Sequence, residues 1–479
     1  MRSEQMTLRP WPRRGGRSGS ALLLLAGALA LGACDLSVIN PSEIADADLD
    51  TPTAIPGIIA GVIGDYGLGL IDEGGGGVLV AGAMLTDEMV NSGSWIGLRG
   101  LSNGESRDDW VESQLRWALP AKARWVANRA VERVSALVEA PDRNADVATA
   151  LLYSGYANRV LGDNFCDATR DGGGWEPFTV WFEEAEEKFT EAIRVASNAL
   201  ADDSSGARIG SQMNADAILP AAYAGRAQVR MMLAGLNQDL AMWDKAVEDA
   251  AMVPTNYVFN QRFSTQGSNL NRWYDWGYNT PTRETTVWGT PFAEWGQDLA
   301  LPAAQRTGDV RVQYEVMTGN FAKGRDARRP WYRQRKFTSQ SAAIPNARGT
   351  EMRLIEAEAA LVRGDWEAAV AKINEVRAFR NTSLTGSNVL PMVSATNIDE
   401  AWVLLMKERG IELWLEGRRL PDLRRWAVTP GKEKVPFKVV RRPSGLPDPE
   451  TDERVSVYDV ERMCIEVSRN EKLANPNLR

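Results

Sequence analysis

The 479-residue chain contains no histidine. That absence excludes every Ser-His-Asp and Cys-His mechanism and every histidine-ligated metal site. Cysteine is scarce, with only Cys34, Cys166 and Cys464. Positive charge is in deficit, with 55 Lys and Arg against 63 Asp and Glu for a net −8. Residues 1–33 hold five Arg and one Glu, so the remainder carries 50 basic against 62 acidic groups, or −12. A chain that acidic repels phosphate backbones, which excludes general nucleic-acid binding. No residue pattern calls for a cofactor or a metal. The N-terminal apolar run is short as well: Ala21–Ala33 offers thirteen residues without a polar side chain, against the ~20 that a spanning helix needs.

What is present is ordinary in bulk and unusual in one respect. Apolar content of 44% and charged content of 25% are those of a soluble globular protein. The length exceeds the ~250–300 residues at which single cores usually stop growing, unless the fold is a solenoid or one large unit. Tryptophan is abundant, at seventeen residues. Its flat face and N–H donor suit it to gripping something.

The N-terminus reads as a leader. Arg2, Arg9, Arg13, Arg14 and Arg17 precede the short apolar run, the layout of an exported signal peptide over residues 1–33. Arg13-Arg14 resembles a twin-arginine signal only weakly. Leu31-Gly32-Ala33-Cys34 resembles the lipobox of bacterial lipoproteins. Small residues there admit a peptidase, and the Cys34 thiol accepts the diacylglyceryl group, so palmitate-type chains anchor the protein. One acyl chain binds a membrane with K on the order of 10⁴ M⁻¹, whereas two or three hold firmly. Ordinary secretory cleavage near Ala33 is the competing reading. Asp35 leaves the choice of membrane open. For Cys166 and Cys464, in an oxidising compartment, a disulfide and two free thiols both fit.

Residues 34–56 are acidic and proline-bearing, and read as a tether. Beyond them apolar residues recur at helical spacing, and strands are scarce apart from runs such as Val435–Val440. An internal repeat is visible. "YANRVLGDN" (156–164), "AQVRMMLAGLNQD" (227–239) and "AEAALVRGDWEAA" (357–369) each end a helix in a small-residue turn. A second amphipathic helix follows each, from Trp181, Ala241 and Trp366, and Pro254 closes the second pair. Ala357, Ala360 and Gly364 suit close helix contacts. The expectation is an all-α, tetratricopeptide-like stack of helix pairs over about 110–254 and 350–426. Unrelated amphipathic helices are the rival reading.

Between the repeats, residues 255–348 form a long irregular stretch rich in Trp and Tyr. Loops of that length are functional or disordered, and this one is too aromatic for disorder. Sugar rings lay their C–H faces on Trp and Tyr while polar side chains read the hydroxyls. Trp273, Tyr274, Trp276 and Tyr278, with Asn271, Arg272, Asp275 and Asn279, are candidates. The bland alternative for each ring is packing against the repeats. Trp95 and Arg99, expected on a loop after a helix, form a second candidate group. Gly74–Gly77 lacks the GK[ST] of a phosphate loop and reads as a hinge. Glu294 and Asp298 are weak candidates for a glycosidase pair, so no catalytic residue is assigned. Glu408, Glu412 and Glu416 stack at i, i+4 and i+8. Arg418, Arg419, Arg424 and Arg425 are expected to fold back onto them as an ion-pair network, with a polyanion site as the lesser reading.

Several of these stretches resemble the SusD/RagB family of nutrient-binding outer-membrane lipoproteins. They are Cys34 with "DLSVINPSEI…LDTPTAI", "EMRLIEAEAALVRGDWEAAVAKINEVRA" (351–378), "ERGIELWLEGRRLPDLRRW" (408–426) and "CIEVSRNEKLANPNL" (464–478). The resemblance implies one SusD-like domain over 57–479, with a repeat scaffold and a loop-rich ligand face. It implies a lipid-anchored protein of the outer membrane facing the cell exterior, beside a SusC-like TonB-dependent barrel. It also implies binding rather than catalysis, with a glycan or peptide as ligand. Ligand-contacting residues vary in that family, and only Trp95 has positional support, after the "DEM" segment. A scaffold lipoprotein that binds a protein partner, and a carboxylate-dependent glycan hydrolase, are the other readings.

Overall fold

The computed structural model describes residues 46–72, 74–202, 205–430, 438–440, 454–456 and 463–478. The leader, the Cys34 anchor and most of the tether lie outside the described residues. Asp50–Arg479 forms one compact unit, and Met1–Leu49 another, of which a 3-10 turn at Asp46–Leu49 is described.

Among the described residues nine helices carry the scaffold, and they stack in chain order. Helix α1 (Ile55–Leu70) is followed by the short α2 (Gly77–Leu85) and α3 (Ile96–Ser102) and the long α4 (Val111–Leu137). Then come α5 (Ala145–Asn164), α6 (Val180–Ala201), a single turn α7 (Ser205–Arg208), α8 (Ala215–Asn237) and α9 (Leu240–Ala251). After the aromatic segment, which holds the short α10 (Pro291–Trp295), lie α11 (Gly349–Val362), α12 (Trp366–Asn381) and α13 (Ile398–Glu412). Helix α1 packs on α4, α4 on α5, α5 on α6, α6 on α8, α8 on α9, α9 on α11 and α11 on α12 and α13. This is the expected all-α stack of helix pairs, with each pair covered by the next.

The turns of the second and third pairs share one chemistry. In "LNQD" Gln238 takes φ +56° and Asp239 accepts hydrogen bonds from the Ala241 and Met242 N–H groups. In "VRGD" Gly364 takes φ +86° and Asp365 accepts from the Ala368 N–H. One left-handed residue reverses the chain, and an Asp cap then satisfies the next helix's free donors. Gly364 is exposed, so it serves the turn rather than a helix contact, whereas Ala357 is fully buried.

The aromatic segment is less irregular than its composition predicts. Strand β4 (Val258–Gln261) pairs antiparallel with β9 (Ile344–Arg348), so the segment leaves and rejoins the scaffold as a ribbon. Inside it, β6 (Gly296–Asp298), β7 (Asp309–Val316) and β8 (Tyr332–Gln334) form a small sheet. Strand β1 (Val90–Asn91) pairs with β5 (Thr285–Thr286), and β2 (Asp167–Ala168) with β3 (Glu176–Pro177). Far along the chain, β10 (Lys438–Val440) pairs with β11 (Arg454–Ser456).

The Glu408–Glu412–Glu416 stack is buried in an ion-pair network, but its partners differ from those expected. Glu408 meets Arg377 and Arg311 at 2.7 and 2.6 Å, and Glu412 meets Arg311 and Arg380. Glu416 meets Lys336 and Arg348, both at 2.7 Å. The arginines that follow Gly417 turn elsewhere. Arg418 pairs with Glu351, Arg419 with Asp87, and Arg425 with Glu358 and Asp422. Arg424 donates to the carbonyls of Gly162, Asp163 and Phe165. The reason is reach. Helix α14 (Arg419–Ala427) packs on α2, α5 and α8, where its cations reach Asp87 after α2 and Glu358 on α11, while other segments neutralise the glutamates. A buried charge must be paired wherever a partner lies.

Cys166 and Cys464 form a disulfide with Cα atoms 5.0 Å apart. It ties the C-terminal segment beside the end of α5, where Ile465 N–H donates to Asn164 O at 2.7 Å. Ser468 then caps a last short helix, α15 (Arg469–Ala474).

Candidate functional site

Most of the tryptophans are structural. Trp181, Trp243, Trp273, Trp331, Trp414 and Trp426 have no appreciable surface. Among the described residues, three indoles are exposed: Trp95 at 37%, Trp125 at 55% and Trp175 at 44%. Stacking on a sugar needs an accessible ring face. Trp125 stands on the outer face of α4, and Trp175 lies under the Lys472 ammonium, 5.8 Å from its ring centre. Trp95 stands in loop surroundings against the aromatic segment.

Its position is built from three contacts. The pairing of β1 with β5 brings the loop after α2 onto the aromatic segment, and Ser92 N–H donates to Glu284 O at 2.8 Å. The Ser94 and Trp95 N–H groups then donate to the Glu284 carboxylate at 2.9 and 3.4 Å. Glu284 is buried, which pushes its carboxyl up, while those two N–H groups pull it back. A Cβ on Gly93 would stand 1.6 Å from the same carboxylate, so only glycine permits this approach. Finally the Trp95 ring stands edge-on to Trp276, with centres 5.2 Å apart and planes at 85°. Trp276 is itself buried, and its Nε1 donates to Asp72 O at 3.4 Å.

Trp276 belongs to the single π-helical turn Tyr274–Tyr278. Such turns are rare and recur at functional sites. Tyr274 and Tyr278 are half-buried, with ring centres 5.4 Å apart. The guanidinium groups of Arg333 and Arg335 lie 4.8 and 5.4 Å from the Tyr278 ring, and both cations pair with Glu315. Asn279 is half-buried directly after the turn, its N–H donating to Tyr274 O. Asn271 is buried; it accepts from the Trp273 N–H and donates to Ala342 O. Arg272 pairs with Asp275 at 2.9 Å.

The structure thus brings Trp95 and Trp276 together and sets Tyr274, Tyr278 and Asn279 on the same short turn as Trp276. Trp273 is wholly interior, with no ring surface to offer. Arg99 is exposed, but it lies within α3 rather than on the expected loop. Glu284, Gly93 and Arg333 were not singled out in the sequence. Strands of two residues leave no periodicity that could have linked position 284 to position 95.

Two other features have a weaker claim. Asp298 accepts from the Ala300 and Val316 N–H groups and so joins β6 to β7. Exposed Glu294 lies on α10. A cavity of about 670 Å³ lies among the ends of α8, α9, α11 and α13, lined by Trp243, Leu361, Trp402 and other apolar groups. Trp243 and Trp402 are only 2% exposed, so neither offers an open ring to a ligand. The Trp95 face fits ring stacking better.

Comparison with known proteins agrees with this architecture. The model of the SusD family matches residues 244–468. A SusD-like carbohydrate-binding protein from Bacteroides vulgatus superposes with a TM-score of 0.55 at 16% identity, covering 88% of this chain and 97% of its own. A SusD superfamily protein from Parabacteroides distasonis gives a TM-score of 0.61 at 12% identity, covering 91% and 99%. A SusD/RagB family protein from Bacteroides thetaiotaomicron gives 0.54 at 13%, covering 77% and 87%. At these identities the likeness is one of fold. No curated protein matches the chain in sequence.

Proposed function

Because this chain belongs to the SusD family, we propose that it captures oligosaccharides at the Trp95 face and delivers them to a TonB-dependent barrel. It does so as a cell-surface protein of the outer membrane, held by lipid at Cys34. The observation that carries the reading is the exposed Trp95 ring, backed by Trp276 and fixed through the buried Glu284. A rigid aromatic platform loses little entropy on binding. Tyr274 and Tyr278, on the same turn as Trp276, and Asn279 directly after it offer further rings and hydrogen-bonding groups. The Cys166–Cys464 disulfide fits a protein that folds outside the cytoplasm. The family is one of binding proteins, and the role is capture without turnover.

Purified protein run through gels containing a panel of glycans tests the capture. Retardation by at least one glycan, with no cleavage of it, is expected; retardation by none of them overturns the reading. Cys34→Ala tests the anchor. The variant is expected in the soluble fraction, and persistent membrane association would contradict lipidation.

A further inference from the structure

The turn that docks beside Trp95 reads "KGRDARR", Lys323–Arg329. It closes on itself, with Gly324 N–H donating to Arg329 O at 2.9 Å. It also seats directly on the Trp95 loop: Asp326 N–H donates to Ser92 O at 2.9 Å, and Arg325 N–H to Arg283 O at 3.2 Å. Gly324 lies so near Ser92 that a Cβ would stand 2.3 Å from Ser92 O. Four cations therefore gather around one loop: Arg99 from α3, and Lys323, Arg325 and Arg328 from the turn, all exposed.

Two acids in this neighbourhood, Asp326 and Glu284, are already occupied. Asp326 accepts from the Arg328 and Arg329 N–H groups and from Arg329 Nη1 at 2.8 Å. Glu284 is buried on the Ser94 and Trp95 N–H groups. Among the described residues no carboxylate forms an ion pair with Arg99, Lys323, Arg325 or Arg328. Arg283 adds a fifth cation, its guanidinium 5.2 Å from the Phe321 ring centre and its Nε buried without an acceptor. Arg283 also holds φ +46°, a conformation that costs a non-glycine residue of order 1–3 kcal/mol and is commoner at functional sites. An unneutralised basic rim on a chain of net charge −8 is a local reversal of sign. Such a patch attracts anions that the rest of the surface repels. Arginine forks match carboxylate and sulfate geometry.

We propose that the Trp95 face selects acidic oligosaccharides, with a sugar ring on the indole and its carboxylate or sulfate groups on Arg99, Arg325 and Arg328. This rests on the oligosaccharide reading above and adds the class of sugar.

The test titrates the purified full-length protein with oligogalacturonate, sulfated dextran oligomers, neutral dextran oligomers and poly-L-glutamate. Binding of at least one acidic glycan, with neutral dextran much weaker, is expected. The Arg325→Glu/Arg328→Glu variant alters only exposed side chains. It is expected to melt at the wild-type temperature and to bind the acidic glycan about tenfold or more weakly. Raising the salt from 50 to 500 mM is expected to weaken wild-type binding and to affect the variant less. The oligogalacturonate and sulfated arms tell carboxylate from sulfate preference. Binding that ignores the charge reversal, or no binding of either acidic glycan, overturns the inference. If a neutral glycan is then retained through Trp95, oligosaccharide capture stands and only the acidic preference fails. If no glycan of any charge binds, both fail. Poly-L-glutamate bound in place of the acidic glycans would make the ligand a peptide and overturn the sugar assignment.

Discussion

Trp95 and Trp276 meet edge to face, the first residue 37% exposed and the second 5%. The pair divides two jobs, and substitution separates them. Trp95→Ala removes an exposed ring and is expected to change stability by less than about 1 kcal/mol. Trp276→Ala opens a core cavity and is expected to cost about 3–5 kcal/mol, read as a shifted denaturant midpoint. Loss of ligand retention is expected in both, through the missing face in one and the missing support in the other.

Glu88 makes stability fall as pH rises. Burial pushes its carboxyl up to about 7, against the Leu415 N–H that donates to it at 2.7 Å. Asp87 raises it further, while Arg419 and Lys336 lower it. A folded value above the unfolded one means the native state binds the extra proton, so this group's contribution is full below about pH 4.5 and disappears by about pH 7. Glu88→Gln keeps an acceptor for Leu415 and carries no charge. It is expected to be more stable than wild type at pH 8, by on the order of 2–3 kcal/mol, and nearly equal at pH 4. Urea titrations at the two pH values measure the difference.

Glu412 acts in the opposite sense. Burial pushes its carboxyl up, but Arg311 and Arg380 outweigh burial and hold it at about 2. Its contribution is present above about pH 4.5 and is lost as pH falls toward 2. Glu412→Gln leaves two cations without their shared partner and is expected to destabilise by about 3–5 kcal/mol at pH 7. The gap from wild type should narrow steadily in melts taken toward pH 3.

The Cys166–Cys464 disulfide closes a loop of 298 residues. Its reduction is expected to lower stability by about 2–5 kcal/mol and to expose the segment around Ile465 and Ser468 to proteolysis first. Cys464→Ala should reproduce both effects without reductant, as limited proteolysis with mass mapping will show.

The scaffold was legible because its signals are local. Apolar spacing places α5, α6, α8, α9, α11 and α12, and in the second and third pairs Asp239 and Asp365 mark the start of the next helix. Even β7 carries a local signal, with Val310, Val312, Tyr314 and Val316 alternating. The site was half legible. Aromatic density points to 255–348, but density does not distinguish Trp273, which packs the interior, from Trp95, which reaches solvent. That distinction depends on Glu284 reaching back across 189 residues to the Trp95 N–H. The glutamate stack failed for the same reason. Like charges at i and i+4 demand cations, yet no local rule says that Arg311, Arg348 and Arg377 supply them. The chemistry was readable and the pairing was not.

The most direct test of capture at the Trp95 face is calorimetric titration of wild type and Trp95→Ala with an oligosaccharide that the wild type retains. The account predicts at least about tenfold weaker binding in the variant at an unchanged melting temperature. Equal affinity in the two proteins would contradict it and place the ligand elsewhere on the molecule.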